Sequence, residues 1–162
     1  MTTASAAAQP HPRATAPSTD RRLRIAAIAL CVLGLAIAAY LTYVHYRGIK
    51  VACPVSGGCE TVQSSVYAKL AGIPVPVLGL VGYAGIISTL LFVPGDLGRV
   101  AGFGMALAGF LFSVYLTYRE VFTIKAICPY CVTSAVCMTL LAIITGARAV
   151  RGPDLAPLPA ED

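Results

Sequence analysis

The sequence predicts an all-α integral membrane protein that folds as a bundle of four transmembrane helices. Of its 162 residues, 57% are hydrophobic and only 12% are charged, whereas a soluble domain carries about 25% charged residues. The lengths of the apolar segments agree with this composition, because a helix of about 20 apolar residues spans the hydrocarbon core of a bilayer. Four such segments leave little room for a second folded domain.

The four apolar segments are separated by stretches that contain the charged residues. They cover Ile25–Val44, Pro76–Val93, Val100–Tyr118 and Tyr130–Ala147. The second, with about 18 residues, is near the lower limit for a membrane span. We therefore expect a four-helix membrane domain over residues 21–150.

The two ends of the chain lack hydrophobic periodicity. Residues 1–20 are rich in Ala, Thr, Pro and Ser, and residues 151–162 are rich in Pro, so we expect two disordered cytoplasmic tails. The tripeptide Ala36-Ile37-Ala38 resembles a signal-peptide cleavage site. Because the apolar run continues beyond it to Val44, we expect the first segment to stay in the chain as a helix.

The basic residues give the orientation in the membrane. The net charge of +5 does not indicate nucleic-acid binding, because the charges flank apolar runs instead of forming a patch. One side of the predicted bundle carries seven basic residues, which are Arg13, Arg21, Arg22, Arg24, Arg99, Arg148 and Arg151. The other carries five, which are Arg47, Lys50, Lys69, Arg119 and Lys125. The arginines before the first helix predict cytoplasmic termini and extracytoplasmic cysteine loops for a multi-pass protein of the inner (cytoplasmic) membrane.

The chain carries two pairs of nearby cysteines. The second pair, Cys128 and Cys131, forms a C-x-x-C motif that opens the fourth segment. Pro129 suits the first helical position, so Cys128 is expected at the N-cap. The unsatisfied N–H groups there lower the pKa of a thiol from about 8.5 and favour a reactive thiolate. This pair predicts thiol–disulfide redox chemistry.

The first pair, Cys53 and Cys59, is less specific and fits either a structural disulfide or a shuttle that exchanges with the second pair. Together the four cysteines also fit a zinc site or a purely structural membrane protein, which we keep as the alternative to an enzyme. The remaining two, Cys31 and Cys137, lie inside apolar runs and are expected to be small buried hydrophobes.

A short amphipathic helix is predicted over Glu60–Ala71, ended by Gly72, because Val62, Val66 and Leu70 recur at four-residue spacing. Such a helix would lie on the membrane over a cavity of the bundle. Ser65 lies within it and could donate a hydrogen bond inward. Glu120, beside Arg119, is expected to form an interfacial ion pair.

Taken together, these motifs resemble the vitamin K epoxide reductase family, specifically its bacterial branch. The matching elements follow one another in the order Cys53-x5-Cys59, Ser65, Ala71–Pro76, Leu78–Tyr83 and Ile127–Thr133. The resemblance covers about residues 25–148. It implies that the short outward-facing helix lies over a quinone site. It also implies that Cys128 and Cys131 are the active-site pair, that Cys131 faces the quinone, and that Cys53 and Cys59 are the shuttle.

By the same resemblance, Ser65 lies near the head of a bound quinone, which would be menaquinone, ubiquinone or vitamin K. The expected partner is an extracytoplasmic thioredoxin-like protein, whose electrons pass through the four cysteines to the quinone pool. Some family members carry a fused thioredoxin-like domain, and because this chain ends before one, we expect a separate partner. Vertebrate members place Thr-Tyr where this chain has Ser134-Ala135. We therefore expect quinone reduction instead of epoxide reduction.

Overall fold

The computed structural model describes residues 17–53 and 58–151, and within them four helices are long and apolar enough to cross a membrane. These are α1 (Pro17–Arg47), α3 (Val75–Phe92), α4 (Gly95–Arg119) and α5 (Pro129–Val150). They contain the four predicted apolar segments to within one residue. The predicted fold class, an all-α membrane bundle, is confirmed.

The four long helices close into a ring, since α1 packs against α3 and α5, and α4 packs against the same two helices. The interior is a continuous apolar core to which all four contribute, including Cys31, Tyr83, Ala106 and Leu141. Many large apolar side chains, such as Leu111, instead face outward and stay exposed. This arrangement suits helices whose outer surface is solvated by lipid.

Small residues set how closely the helices approach. A Cβ added at Gly34 would overlap the ring of Tyr83 on α3, and one added at Gly85 or Gly109 would overlap a methionine of the neighbouring helix. Close approach between apolar helices maximises van der Waals contact, which is the main attraction between helices in lipid.

One end of the bundle is closed by an ion pair between Asp20 in α1 and Arg148 in α5. The Nε–Oδ1 distance is 2.9 Å and the Nη2–Oδ2 distance is 3.3 Å. Because α1 begins at Pro17, four residues of the predicted tail 1–20 are helical. Proline suits a first helical turn, and the ion pair ties this turn to the last turn of α5. The rest of that tail, residues 1–16, and residues 152–162 lie outside the described residues.

The opposite end of the bundle carries both cysteine pairs and a small cap between α1 and α3. The cap consists of α2 (Gly58–Ser64), a 3-10 turn (Val66–Ala68) and a hairpin of β1 (Lys69–Leu70) and β2 (Ile73–Pro74). The two strands are antiparallel, with Leu70 opposite Ile73. The single helix predicted for Glu60–Ala71 is therefore wrong beyond Ser64.

Local chemistry explains why the helix stops. The Ser65 hydroxyl donates a 2.7 Å hydrogen bond to the Val62 carbonyl, which a continuing helix would have used for the N–H of residue 66. Further along, Ala71 and Gly72 both have positive φ, at 51° and 85°. Two such residues form the tight turn that a two-residue hairpin requires. Gly72 thus turns a hairpin and does not end a helix.

The end of α4 departs from regular helix. Residues Glu120–Ile124 form a π-helical turn, closed by Lys125 in the left-handed conformation with φ of 55°. The N–H groups of Lys125 and Ala126 both donate to the Glu120 carbonyl. Wide turns of this kind often occur at functional sites. This one directs the chain from α4 into the C-x-x-C motif.

Candidate active site

The two cysteine pairs lie together in one packed cluster. Cys53 and Cys59 are joined in a disulfide, whereas Cys128 and Cys131 are free thiols. Cys59 and Cys128 are both fully buried and form the cluster with Val62, and Cys53 and Cys131 pack against it. Pairs about 70 residues apart in sequence are thus placed next to each other, as exchange between them would require.

The two cysteine loops approach so closely because the first loop carries a glycine at the contact. A Cβ added at Gly58 would overlap the carbonyl oxygen of Ile127, the residue before Cys128. Because the obstacle is backbone, a larger side chain at this position would have to move one loop away from the other. The glycine therefore permits the contact between the pairs.

Two tyrosines hold the backbone before Cys53. Tyr130 donates a 2.8 Å hydrogen bond to the Ala52 carbonyl, and the Ala52 N–H donates to the Tyr40 hydroxyl at 3.2 Å. The rings of Tyr40 and Tyr130 pack with centroids 5.5 Å apart. Both backbone groups of Ala52 are thereby satisfied, and the loop is tied to α1 and α5.

Cys128 is the N-cap of α5, as predicted, and Pro129 occupies the first helical position. A hydrogen bond from the Cys131 side chain lowers the pKa of the Cys128 thiol to about 7, although burial opposes the change. The backbone N–H groups of Cys131 and Tyr130 also lower this pKa. At neutral pH a large fraction of Cys128 is therefore thiolate, the form that attacks disulfides.

A cavity of about 410 Å³ opens between the helices beneath the cap. Most of its wall is apolar, including Leu41, Leu78 and Phe112, and its polar groups include Cys131 and Ser65. Cys131 thus lies between the cysteine cluster and the cavity. Pockets of this size and character bind small apolar ligands with a few polar groups.

Ser65 lines the cavity but does not donate into it. Its hydroxyl proton is used in the bond to the Val62 carbonyl, which leaves only acceptor lone pairs for a ligand. The expected inward donation from Ser65 is therefore not made in this structure. The backbone bond holds the side chain in place at the end of α2.

Glu120 is a site residue that the sequence analysis missed. Its carboxylate accepts a 3.3 Å hydrogen bond from the Cys128 N–H and lies within hydrogen-bonding reach of the Cys131 side chain. The expected ion pair with Arg119 is wrong, because the Arg119 guanidinium lies 4.6 Å from the Tyr67 ring centroid instead. The sequence contains one signal, an acidic residue eight positions before a C-x-x-C motif.

Tyr83 and Ser134 form a second polar contact at the cavity that was not anticipated. Their hydroxyls are 2.8 Å apart, and the Tyr83 hydroxyl also lies 3.1 Å from the Ser134 carbonyl. Ser134 is one turn after Cys131 in α5, and both residues line the cavity. The Tyr83 hydroxyl thus joins α3 to α5 beside the cavity.

The residues that the structure describes do not provide a metal site. Across residues 17–53 and 58–151, no group of three or more His, Cys, Asp or Glu side chains is arranged to hold a metal ion. The sulfurs of Cys53 and Cys59 are already bonded to each other.

Comparison with known proteins finds relatives of this chain. A sequence model of the vitamin K epoxide reductase family matches residues 25–146, a range that contains both cysteine pairs. The chain is also similar to Thiol-disulfide oxidoreductase LTO1 of Arabidopsis thaliana, with 36% identity over 109 residues, or 60% of the chain. The match covers 29% of that relative, so the chain spans less than a third of its length.

Proposed function

Because the chain belongs to the vitamin K epoxide reductase family, we propose that it is a membrane thiol oxidoreductase that passes electrons from a protein dithiol to a quinone. The protein dithiol belongs to a thioredoxin-like partner outside the cytoplasm. Once oxidised, this partner introduces disulfides into exported proteins. The observation that carries the proposal is the cluster in which Cys59 and Cys128 are buried together while Cys131 reaches the cavity.

The path through the protein consists of two thiol–disulfide exchanges. The partner dithiol attacks the Cys53–Cys59 disulfide, so that one disulfide forms in the partner and one breaks in the shuttle. The reduced shuttle then attacks the Cys128–Cys131 disulfide, which opens as the shuttle closes. After this second exchange the shuttle is oxidised again and the inner pair is reduced.

The cavity suits a quinone ring. Its volume of about 410 Å³ and apolar wall match an aromatic head, and Ser65 and Cys131 supply polar groups at its cysteine end. A bound menaquinone or ubiquinone would accept two electrons and two protons. Cys131 would face it, and the thiolate form of Cys128 would close the disulfide with Cys131. We propose quinone reduction, and not epoxide reduction, because Ala135 offers no hydroxyl.

The proposed orientation places the cysteine end outside the cytoplasm. Arg24, Arg99 and Arg148 surround the opposite end, where α1 begins and α5 ends. Arginines concentrate on the cytoplasmic side of membrane proteins, so this end would face the cytoplasm. The shuttle disulfide then meets a secreted partner in an oxidising compartment.

The test is quinone reduction by the purified protein, with dithiothreitol or a reduced thioredoxin-like protein as electron donor. Cys131→Ala should abolish turnover with both donors, because the inner pair can no longer cycle. Cys53→Ala should abolish turnover with the protein donor but spare much of it with dithiothreitol, which reaches the inner pair directly. Cys137→Ala, buried in α5 among apolar residues, is the matched control and should keep turnover with both donors.

The same preparation tests the alternative of a metal-binding or structural protein. If the wild type reduces no quinone with either donor but binds zinc stoichiometrically, the cysteines are metal ligands and the proposal fails. If Cys53→Ala oxidises the protein donor normally, the shuttle assignment alone is wrong.

A further inference from the structure

Glu120 is a carboxyl group buried where a charge is costly. Only 5% of the residue is exposed, and it lies in the π-helical turn beneath the cysteine cluster. Burying a carboxylate away from water is strongly unfavourable unless it is paired or hydrogen-bonded. A buried acid in a cavity wall is for this reason a candidate functional group.

The neighbours of Glu120 are the inner cysteines and not a cation. Its carboxylate accepts from the Cys128 N–H, and the Cys131 side chain is within hydrogen-bonding reach. In the part of the chain that the structure describes, the ion pairs are Lys50–Glu60 and Asp20–Arg148, and neither involves Glu120. Arg119 next to it is held by the Tyr115 hydroxyl, at 3.3 Å from its Nε.

Glu120 also lines the cavity that Cys131 and Ser134 line. It is thus placed between a thiol that must lose a proton and the space where that proton is needed. Asn or Gln would cap the Cys128 N–H equally well, since that bond requires only an acceptor oxygen. An acid at this position offers one property that an amide lacks, the capacity to carry a proton.

We propose that Glu120 is the proton carrier of the inner pair, taking the proton of Cys131 and delivering it to the electron acceptor in the cavity. This inference rests on the proposed function. In the step, an S–S bond forms between Cys128 and Cys131, and their two electrons pass to the quinone, which is reduced. One proton leaves Cys131, binds the Glu120 carboxylate and moves on to a quinone oxygen. Cys128 releases its own proton to water, and the quinone takes its second proton from water.

The first experiment needs no quinone. In a Cys128→Ala protein, in which the Cys53–Cys59 disulfide is kept oxidised, we measure how fast an apolar maleimide alkylates Cys131. The background is the alkylation of a Cys128→Ala, Cys131→Ala double variant, and it is subtracted. If Glu120 accepts the Cys131 proton, adding Glu120→Gln should slow alkylation about tenfold or more. If the carboxylate only repels a neighbouring thiolate, its removal should leave alkylation unchanged or faster, and the proposal is overturned.

The second experiment measures turnover with dithiothreitol and a quinone. Glu120→Gln should lower the rate about 100-fold, a typical effect for loss of a general acid–base group. The matched control is Glu60→Gln, the same substitution at a carboxyl that is 59% exposed at the same end of the bundle. A Glu120→Gln protein that turns over within about twofold of the wild type would refute the proton-carrying role.

A third measurement keeps the inference testable if Glu120→Gln does not fold. Alkylation of Cys131 with Glu120 intact is compared in light and heavy water. Removal of the proton by a base during the rate-limiting step predicts slower alkylation in heavy water. A preformed thiolate predicts no slowing, which would contradict the proposal. If the wild-type protein reduces no quinone, the proposed function is refuted, while the alkylation rates of Cys131 still test the role of Glu120. Failure of the proposed function and failure of this inference are therefore distinguishable.

Discussion

The hydroxyl of Tyr130 donates a 2.8 Å hydrogen bond to the carbonyl oxygen of Ala52. The bond joins the residue before Cys131 to the residue before Cys53, across 78 positions of sequence. It connects the loop that carries the Cys53–Cys59 disulfide to the helix that carries Cys131. A side chain inside the C-x-x-C motif thus helps to fix the relative position of the two pairs.

Removing this bond should uncouple the two pairs without disturbing the inner one. In Tyr130→Phe the Ala52 carbonyl loses its partner, at a cost of about 1 kcal/mol, or about fivefold in a rate that needs the loop in place. Turnover with the thioredoxin-like donor should fall by about this factor, and turnover with dithiothreitol should not. Tyr46→Phe, at a side chain that is 69% exposed, is the control. Equal loss with both donors would mean that Tyr130 acts on the inner pair itself.

Gly58→Ala tests the close approach of the two loops. The new methyl group would meet the Ile127 carbonyl, so the loops must separate, and we expect a loss of about 1–3 kcal/mol in the free energy of unfolding. Exchange between the pairs should slow in parallel, seen as loss of turnover with the protein donor. Gly104→Ala, where no atom lies within 4 Å of the added Cβ, should be neutral or slightly stabilising. Thermal unfolding in detergent measures both, and equal effects would contradict the proposed contact.

The Cys128 thiol predicts a pH dependence near neutrality. Its pKa is about 7 in the folded protein, below the ordinary value of 9.0, so the fold favours the thiolate. The resulting stabilisation is complete above pH 9.0, shrinks as the pH falls toward 7 and is absent below it. Ultraviolet absorbance of the thiolate, taken as wild type minus Cys128→Ser with the inner pair reduced, should rise with a midpoint near pH 7. A midpoint at the ordinary value would show that the helix N-terminus and Cys131 do not activate this thiol.

The Asp20–Arg148 pair should contribute to stability but not to catalysis. The side chains are 28% and 10% exposed, so the pair is between a surface and a buried ion pair. Asp20→Asn should cost about 2 kcal/mol, because it leaves the Arg148 guanidinium without its charge partner. Turnover with dithiothreitol should stay unchanged, since the cysteines lie at the opposite end of the bundle. In an Asp20→Asn, Arg148→Gln double variant, part of the loss should return; a fully additive loss would mean that the two side chains are not coupled.

Local sequence explains most of the fold. Runs such as Ile25–Val44 and Val100–Tyr118 are apolar over a bilayer's thickness, and such a segment can satisfy its backbone in lipid only as a helix. The N-cap position of Cys128 followed equally from local chemistry, since Pro129 suits only the first turn. The family resemblance, based on the order and spacing of the motifs, is also confirmed.

The cap is the part of the fold that local sequence patterns predict least well. Val62, Val66 and Leu70 have helical spacing, yet Val66 is 81% exposed and Leu70 lies in a strand. The four-residue period could not show that Ser65 would take the Val62 carbonyl, or that Ala71 and Gly72 would form a hairpin turn. Side-chain hydrogen bonds to the backbone compete with a helix whose own propensity is weak.

The sequence by itself determined the four spans, their class and the N-cap position of Cys128, because hydrophobic length and helix capping act over a few neighbouring residues. Only the tertiary structure decided that the pairs share one buried cluster and that Cys131 lines a cavity. It also decided that the Glu120 carboxylate accepts a hydrogen bond from Cys128 and does not pair with Arg119. These relationships join residues from different helices. They depend on how closely glycines such as Gly58 let two backbones approach, and no periodicity in the sequence encodes such contacts.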